Sequence, residues 1–295
     1  MHALRLAGGP VSWGVDFAGD PLNPAWPAVL DGIRSAGLHA LELGPYGYLP
    51  EDPAELGREL ERRELVPVGS FVFDDLHVPA RAAAVVRDAE RTARWIAGAG
   101  GSVLVVIDRP DAARAATAGR SADAARLEPL AWDAMLATID RVARVARRHG
   151  LEPVLHAHAG TRIEFDDEIA VVMDALDIGL CLDTGHALYA GLDPIALLHR
   201  YAGRLRHLHL KDVDGAVRAR GLGFWDAVAA GAFCPLGTGL LDLEALAAAL
   251  EAIEYRGYAT IEQDRRSATP GAPADDLRRS VDRLLAVGGA PWRTR

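Results

Sequence analysis

Lysine is almost missing from this chain. Of its 32 Lys and Arg residues, Lys211 alone is lysine. Cysteine is as scarce: Cys181 and Cys234 are the only two, which excludes a disulfide framework and fits a reducing cytoplasm. No apolar run approaches the ~20 residues of a membrane span, and residues 1–10 lack a basic stretch followed by an apolar one, so neither a span nor a secretory signal is expected. There is no basic stripe either. With a net charge of −9 and mixed signs throughout, a nucleic-acid partner is not expected. Gly-rich phosphate loops and a nucleophile elbow are absent, which removes nucleotide cradles and serine-hydrolase chemistry from the readings.

What is there is a large apolar fraction in a repeating order. Half the residues are hydrophobic and the chain has 295 residues, a size that α/β barrels reach as one domain. Short β-like runs at 11–13, 38–43, 66–73, 103–107, 153–158, 178–183, 205–211 and 258–262 alternate with helical stretches. The helices are expected at 24–36, 53–63, 79–99, 129–149, 166–176, 194–201 and 274–286. Asp52 stands as an N-cap, and Gly100-Gly101 closes the third helix. The run 103–107 is apolar without a break, as in a strand buried on both faces. Residues 109–126 read as a long, partly helical loop. The economical architecture is α/β: a single (β/α)8 TIM barrel over 1–295. A doubly wound sheet is the alternative, without the fingerprint that would support it. Residues 213–241 are too many for a plain connection. They are expected as a lid-like insertion between strands 7 and 8, with Phe224, Trp225 and Phe233 as its own small core.

The ends of the strands carry the chemistry in such a barrel. Strand 2 ends at Glu42. Strand 5 ends with His156 and His158, strand 6 with Asp183 followed by His186. Strand 7 puts His207, His209 and Lys211 on one face, and strand 8 ends at Glu262 with Asp264 two residues on. Burying so many groups that are costly to desolvate demands partners, and a divalent cation supplies them. One ligand per strand selects His156, Asp183, His209 and Glu262, although alternation admits His158 in place of His156. Two nitrogen and two carboxylate donors suit Mn, Co, Zn or Fe better than Ca, with Mg also admitted. His158, His186 and His207 then orient ligands or touch substrate. Lys211 offers a compact ammonium whose proton can move, which a guanidinium cannot; its bland alternative is a solvated basic turn. Trp13 could wall the pocket or serve the core. Glu42 is a substrate contact or an arginine's partner, and Tyr46 and Tyr48 could hydrogen-bond a polyol.

The runs Cys181-Leu-Asp-Thr-Gly-His186 and His207-Leu-His-Leu-Lys-Asp212, with Glu262, resemble the xylose-isomerase-like sugar isomerase/epimerase barrels. Ser12-Trp-Gly-Val15, Glu42-Leu-Gly-Pro-Tyr-Gly-Tyr-Leu-Pro50, Leu155-His-Ala-His-Ala-Gly160, Phe233-Cys-Pro-Leu-Gly-Thr-Gly239 and Ile261-Glu-Gln-Asp264 are similar to the inosose dehydratase branch, nearly end to end. The resemblance implies a metal-dependent lyase of inositol catabolism, using Mn or Co, that converts 2-keto-myo-inositol to a cyclic dione. It implies a small polyol or keto-sugar substrate and a homo-oligomer, dimer or tetramer. By position, Asp183, His209 and Glu262 match family metal ligands, and His156 stands where the wider family has glutamate. Glu262 or a nearby histidine is expected as base, with Lys211 or His186 as acid, and Trp13, Glu42, Tyr46, His158 and His207 around the substrate. A metal-dependent isomerase or epimerase and a non-catalytic polyol-binding barrel are the competing readings.

Overall fold

The computed structural model describes residues 4–266, 269, 272–287 and 292–294. Its strands are β1 (Leu4–Ala7), β2 (Ala40–Leu41), β3 (Val66–Pro67), β4 (Gly69–Asp74), β5 (Val103–Asp108), β6 (Glu152–His156), β7 (Gly179–Asp183) and β8 (Leu205–Leu210). They continue with β9 (Asp212–Val213), β10 (Phe233–Cys234), β11 (Tyr258–Ile261) and β12 (Trp292–Arg293). A parallel ladder runs β4-β5-β6-β7-β8-β11-β1, with β12 beside β1. The ring closes through β2. Gly8 N bonds Ala40 O, Glu42 N bonds Gly8 O, and Leu43 N reaches Gly69 O. β2 pairs with β3, which leads straight into β4. The result is a closed parallel barrel.

The first strand is a correction. It was expected at 11–13 but lies at Leu4–Ala7, where Leu4 and Leu6 are buried and Arg5 is exposed. Pro10 has no N–H to give a ladder and instead opens a 3-10 turn, Pro10–Trp13, that Gly14 ends with a φ of 81°. The other seven strands fall within a few residues of expectation; β6 stops at His156, so His158 lies in the following turn.

The outer layer follows from helical periodicity. In α3 (Ala82–Ala99) the buried residues Val85, Ala89, Thr92, Ala93 and Ile96 recur at spacings of three and four. The remaining helices are α1 (Trp26–Ser35), α2 (Pro53–Glu61), α4 (Ala112–Ala116), α5 (Pro129–Arg148), α6 (Asp166–Ala175), α7 (Thr184–Ala190) and α8 (Pro194–Arg200). Beyond them come α9 (Gly215–Arg218), α10 (Phe224–Ala229), α11 (Leu243–Ala252) and α12 (Pro273–Ala286). Asp52 caps α2 through Glu55 N, as expected. β5 explains why its sequence is apolar throughout. Leu104 and Val106 join the core under the helices, while Val103, Val105 and Ile107 join a second cluster with Ala7, Val154 and Cys181. Each such Val, Leu or Ile side chain contributes about 1.5–3 kcal/mol on burial.

Residues 213–241 form a packed wall. β9 and β10 pair antiparallel, and Phe224, Val228 and Phe233 form a cluster of their own with Tyr189 and Ala159. Trp225 is only partly buried against it. The buried Asp212 carboxylate fixes the return of this segment by accepting from the N–H groups of Gly237, Gly239 and Leu241. Gly239 is required there: a Cβ would stand 2.3 Å from Val213 O.

Candidate metal centre

Each polar group of the site is delivered by a strand end. Asp183 finishes β7 and also caps α7: its Oδ1 accepts from His186 N at 2.8 Å. Its Oδ2 is thereby turned inward, 3.3 Å from His156 Nε2, 3.6 Å from His209 Nδ1 and 3.3 Å from Lys211 Nζ. Glu262, just past β11, puts Oε2 3.2 Å from His209 Nδ1 and 3.2 Å from Lys211 Nζ. Donor atoms of His156, Asp183 and His209 all lie within 4.8 Å of one another, and those of Glu42, His209 and Glu262 do too.

The donors fit a divalent cation. His209 Nε2 bonds Glu42 Oε1 at 2.7 Å, which places a proton on Nε2 and turns Nδ1 to the carboxylates of Asp183 and Glu262; burial works against a charge on this ring, but Cys181, Glu262 and Glu42 raise its pKa well above 6.5, and a divalent cation would take the place of the Nδ1 proton. The inward nitrogens are His209 Nδ1, 3.2 Å from Glu262 Oε2, and His156 Nε2, 3.3 Å from Asp183 Oδ2. Burial lowers the pKa of His156, keeping it neutral as a ligand must be. Burial opposes ionisation of Asp183 and Glu262, yet neighbouring Lys211 and histidine charges hold both below the usual carboxylate range. Of the alternatives the alternation left open, His156 joins the Asp183–His209 cluster, and His158 joins a second one with His186 and Asp264.

The motif Asp-Thr-Gly-His becomes legible as a mount for Lys211. Thr184 Oγ1 donates to Lys211 O and accepts from Lys211 N, pinning the lysine backbone. Gly185 leaves room, since a Cβ there would lie 2.4 Å from Lys211 Cβ. The ammonium of Lys211, 2% exposed, donates to Asp264 Oδ1 at 2.6 Å and lies 3.1 Å from His186 Nε2. Burial works against its charge, but Asp183, Asp264 and Glu262 carry its pKa well above 10.5. With three carboxylates around it the group is held as a cation. His186, by contrast, is neutral, since burial drives its pKa well below 6.5.

These groups share one cavity. Its polar lining is Asp16, His156, His158, His209, Lys211, Glu262 and Asp264. Phe71, Phe73, Ile107, Phe224, Trp225 and Val228 supply the apolar wall. Asp16 was missed in the sequence. It lies in an irregular turn, where no periodicity marks a direction. Burial, then Asp264, pushes its pKa up to about 7. Asp264 stands two residues past Glu262, and burial pushes its pKa up to about 6 against the pull of Lys211.

Five residues expected near the substrate lie away from the lining of this cavity. Glu42 and His207 lie beneath the cluster: Glu42 Oε1 is shared by His207 Nε2 at 2.6 Å, His209 Nε2 and Thr260 Oγ1, and neither residue lines the cavity. Glu42 Oε1 therefore partners two histidines and Thr260. Trp13 sits in the 3-10 turn and points at α1, where a Cβ on Gly32 would be 2.6 Å from its ring. Tyr46 is drawn aside by a 2.8 Å bond to Glu51 and an edge contact with Trp95, and borders a side cavity. Tyr48, too, gives its hydroxyl to Pro24 O. His158 does line the central cavity, its Nδ1 bonded to Ala159 O.

A family model described as xylose isomerase-like TIM barrel matches residues 30–287. The chain is 29% identical to an inosose dehydratase of Geobacillus kaustophilus (strain HTA426), over 97% of this chain and 96% of that protein. It is 30% identical to the rhizopine catabolism protein MocC of Rhizobium meliloti, over 98% of this chain and 91% of that one. Among solved structures, an IOLI protein with a bound zinc atom superposes with a TM-score of 0.74, at 12% identity over 97% of this chain and 100% of the other. A D-allulose 3-epimerase from Methylomonas sp. gives 0.70, at 18% identity over 97% and 98%.

Proposed function

This chain belongs to the xylose isomerase-like TIM barrel family, and from that premise we propose that it is a metal-dependent hydro-lyase that dehydrates an inosose, 2-keto-myo-inositol, to a cyclic dione in inositol catabolism. The observation that carries the reading is the end-to-end likeness to an inosose dehydratase. It is joined by a β6 strand end that offers His156, an imidazole ligand, in place of a carboxylate base. His156, Asp183, His209 and Glu262 would hold the cation, with Mn or Co the first choices for this mixed donor set. When bound, a divalent cation supplies Lewis acidity that makes a proton beside a ketone easier to remove.

The rest falls to the chain's own groups. Glu262 is the base in this reading, held ionised by its neighbours. Lys211 stays protonated and stabilises negative charge that develops in the cavity. Asp16, whose pKa burial and Asp264 push up to about 7, can assist departure of the β-hydroxyl as an acid. The aromatic wall of Phe71, Phe73, Phe224 and Trp225 keeps water from the reacting carbon. The reading includes a cytoplasmic homo-oligomer; among the described residues no helix is long and apolar enough to cross a membrane.

An isomerase or epimerase is the second reading, and a specific observation favours it. Asp16 and Asp264 share the cavity with Glu262, so a second proton acceptor is present after all. The two readings part in one experiment: Mn-loaded protein, 2-keto-myo-inositol and D₂O, followed by mass spectrometry and NMR. Dehydration gives a product lighter by one water with an ultraviolet-absorbing enol or dione. An isomer of unchanged mass carrying solvent deuterium at the α-carbon overturns the dehydratase.

A further inference from the structure

Two triads of ligating side chains lie side by side in this barrel, and a single ammonium sits between them. The first is His156, Asp183 and His209, with Glu262 added. The second is His158, His186 and Asp264, whose donor atoms also fall within 4.8 Å of one another. The second triad carries two marks of a cation site. Asp264, only 7% exposed, turns a buried Oδ2 to its fellow triad member His186, 3.3 Å from Nε2. His158 commits Nδ1 to Ala159 O at 2.8 Å, which puts its proton there and leaves Nε2 with a lone pair.

Lys211 Nζ is placed against both. It lies 2.6 Å from Asp264 Oδ1 and 3.1 Å from His186 Nε2 of the second triad, and 3.3 Å from Asp183 Oδ2 and 3.2 Å from Glu262 Oε2 of the first. Two carboxylate oxygens are thus shared between the lysine and the first triad, as carboxylates are shared by paired metal ions ~3.5–4 Å apart. We propose that the Lys211 ammonium holds the place of a second divalent cation, and so restricts a two-cation framework to one ion.

The physical chemistry agrees with the lysine chosen. An ammonium is a compact point charge that several oxygens can surround; a guanidinium is a planar fork too large for this space. The mount described above, Thr184 gripping the Lys211 backbone and Gly185 giving way to its Cβ, holds that charge in one position. A fixed single charge neutralises Asp264 without the donor geometry that a second metal demands. Its removal leaves His158, His186 and Asp264 converging on an uncompensated carboxylate.

The inference concerns the change in stoichiometry on removing the ammonium, and it rests on the reading of the first triad as a metal site. The experiment counts Mn²⁺ bound per chain by calorimetry and elemental analysis, with paramagnetic resonance to report coupling between neighbouring ions. Lys211→Ala should bind one more ion than the parent, with the exchange-coupled signal of a close pair, and Lys211→Ala with Asp264→Asn should lose that extra ion. A Lys211→Ala protein with a native circular-dichroism spectrum and no gain over the parent overturns the proposal, and so does a parent that already binds two ions. The second criterion holds even where the variant fails to fold. A parent that binds none, beside a variant that gains one, would sink the metal reading of the first triad and leave the role of Lys211 standing.

Discussion

Glu42 Oε1 receives hydrogen bonds from two histidines of the same strand, His207 Nε2 at 2.6 Å and His209 Nε2 at 2.7 Å. This carboxylate never reaches the cavity, yet it sets which nitrogen of His209 is free to bind a cation. Glu42→Gln keeps the size but loses an acceptor charge, so both ring orientations loosen. Divalent-metal affinity should fall about 10–100-fold, the usual effect of losing such a partner. Isothermal titration with Mn²⁺ checks it; unchanged affinity would mean that His209 is oriented by something else.

Asp183 does two tasks with its two oxygens, and substitutions can separate them. Asp183→Ala removes the cap of α7 and the inward oxygen together. It should lower metal-free stability by ~1 kcal/mol and abolish tight metal binding. Asp183→Asn retains an oxygen for His186 N, so its metal-free melting temperature should stay near the parent's while metal affinity still collapses. Chelation of the parent should likewise lower its melting temperature, because a ligand held only by the native state stabilises it. Equal metal affinity in Asp183→Asn and parent would remove Asp183 from the ligand set.

Lys211→Arg conserves charge and should cost most of the turnover, on the order of 10²-fold or more, because misplacing a charge by about 1 Å near reacting atoms is enough for that. Gly185→Ala attacks the same group from behind, since the new Cβ overlaps Lys211 Cβ. It should lower kcat at least tenfold and the melting temperature by a few degrees. Steady-state kinetics on the ketone substrate decides both, and near-parental kcat in both would demote Lys211 to a packing role.

Glu164 gives a pH test outside the centre. It is 3% exposed, and burial pushes its pKa up to about 7 despite N–H donors from Gly119 and Gly160 and the nearby Arg114. A folded-state pKa above the unfolded one means that the protonated form is favoured in the fold. The associated stability is full below about pH 4.5 and is lost as the pH rises through about 7. Its size is on the order of 3 kcal/mol. Glu164→Gln cannot ionise, so it should be less sensitive than the parent to a rise from pH 4.5 to 8. Urea titrations across that window measure the difference, and parallel curves would count against it.

The sequence by itself determined the barrel and most of the polar residues that meet at its strand ends. Apolar strands of period two and helices of period 3.6 are local signals, and strand ends alternate predictably, so Asp183, His209 and Glu262 could be named from their positions, with His156 or His158 beside them. The first strand was misplaced because Val11 and Trp13 resemble strand residues, while the bar set by Pro10 acts through a missing N–H in the ladder. Only the tertiary structure decided what faces what. Glu42 and His207 turned out to lie under the cluster, Trp13 and Tyr46 beside it, and Asp16 inside the cavity. None of these follows from periodicity, because each depends on contacts with residues distant in the chain: 165 positions separate Glu42 from His207. The surroundings of Lys211 are of the same kind. Its rarity was visible in the sequence, but its place between two triads arises only when three strand ends, β7, β8 and β11, meet around one ammonium.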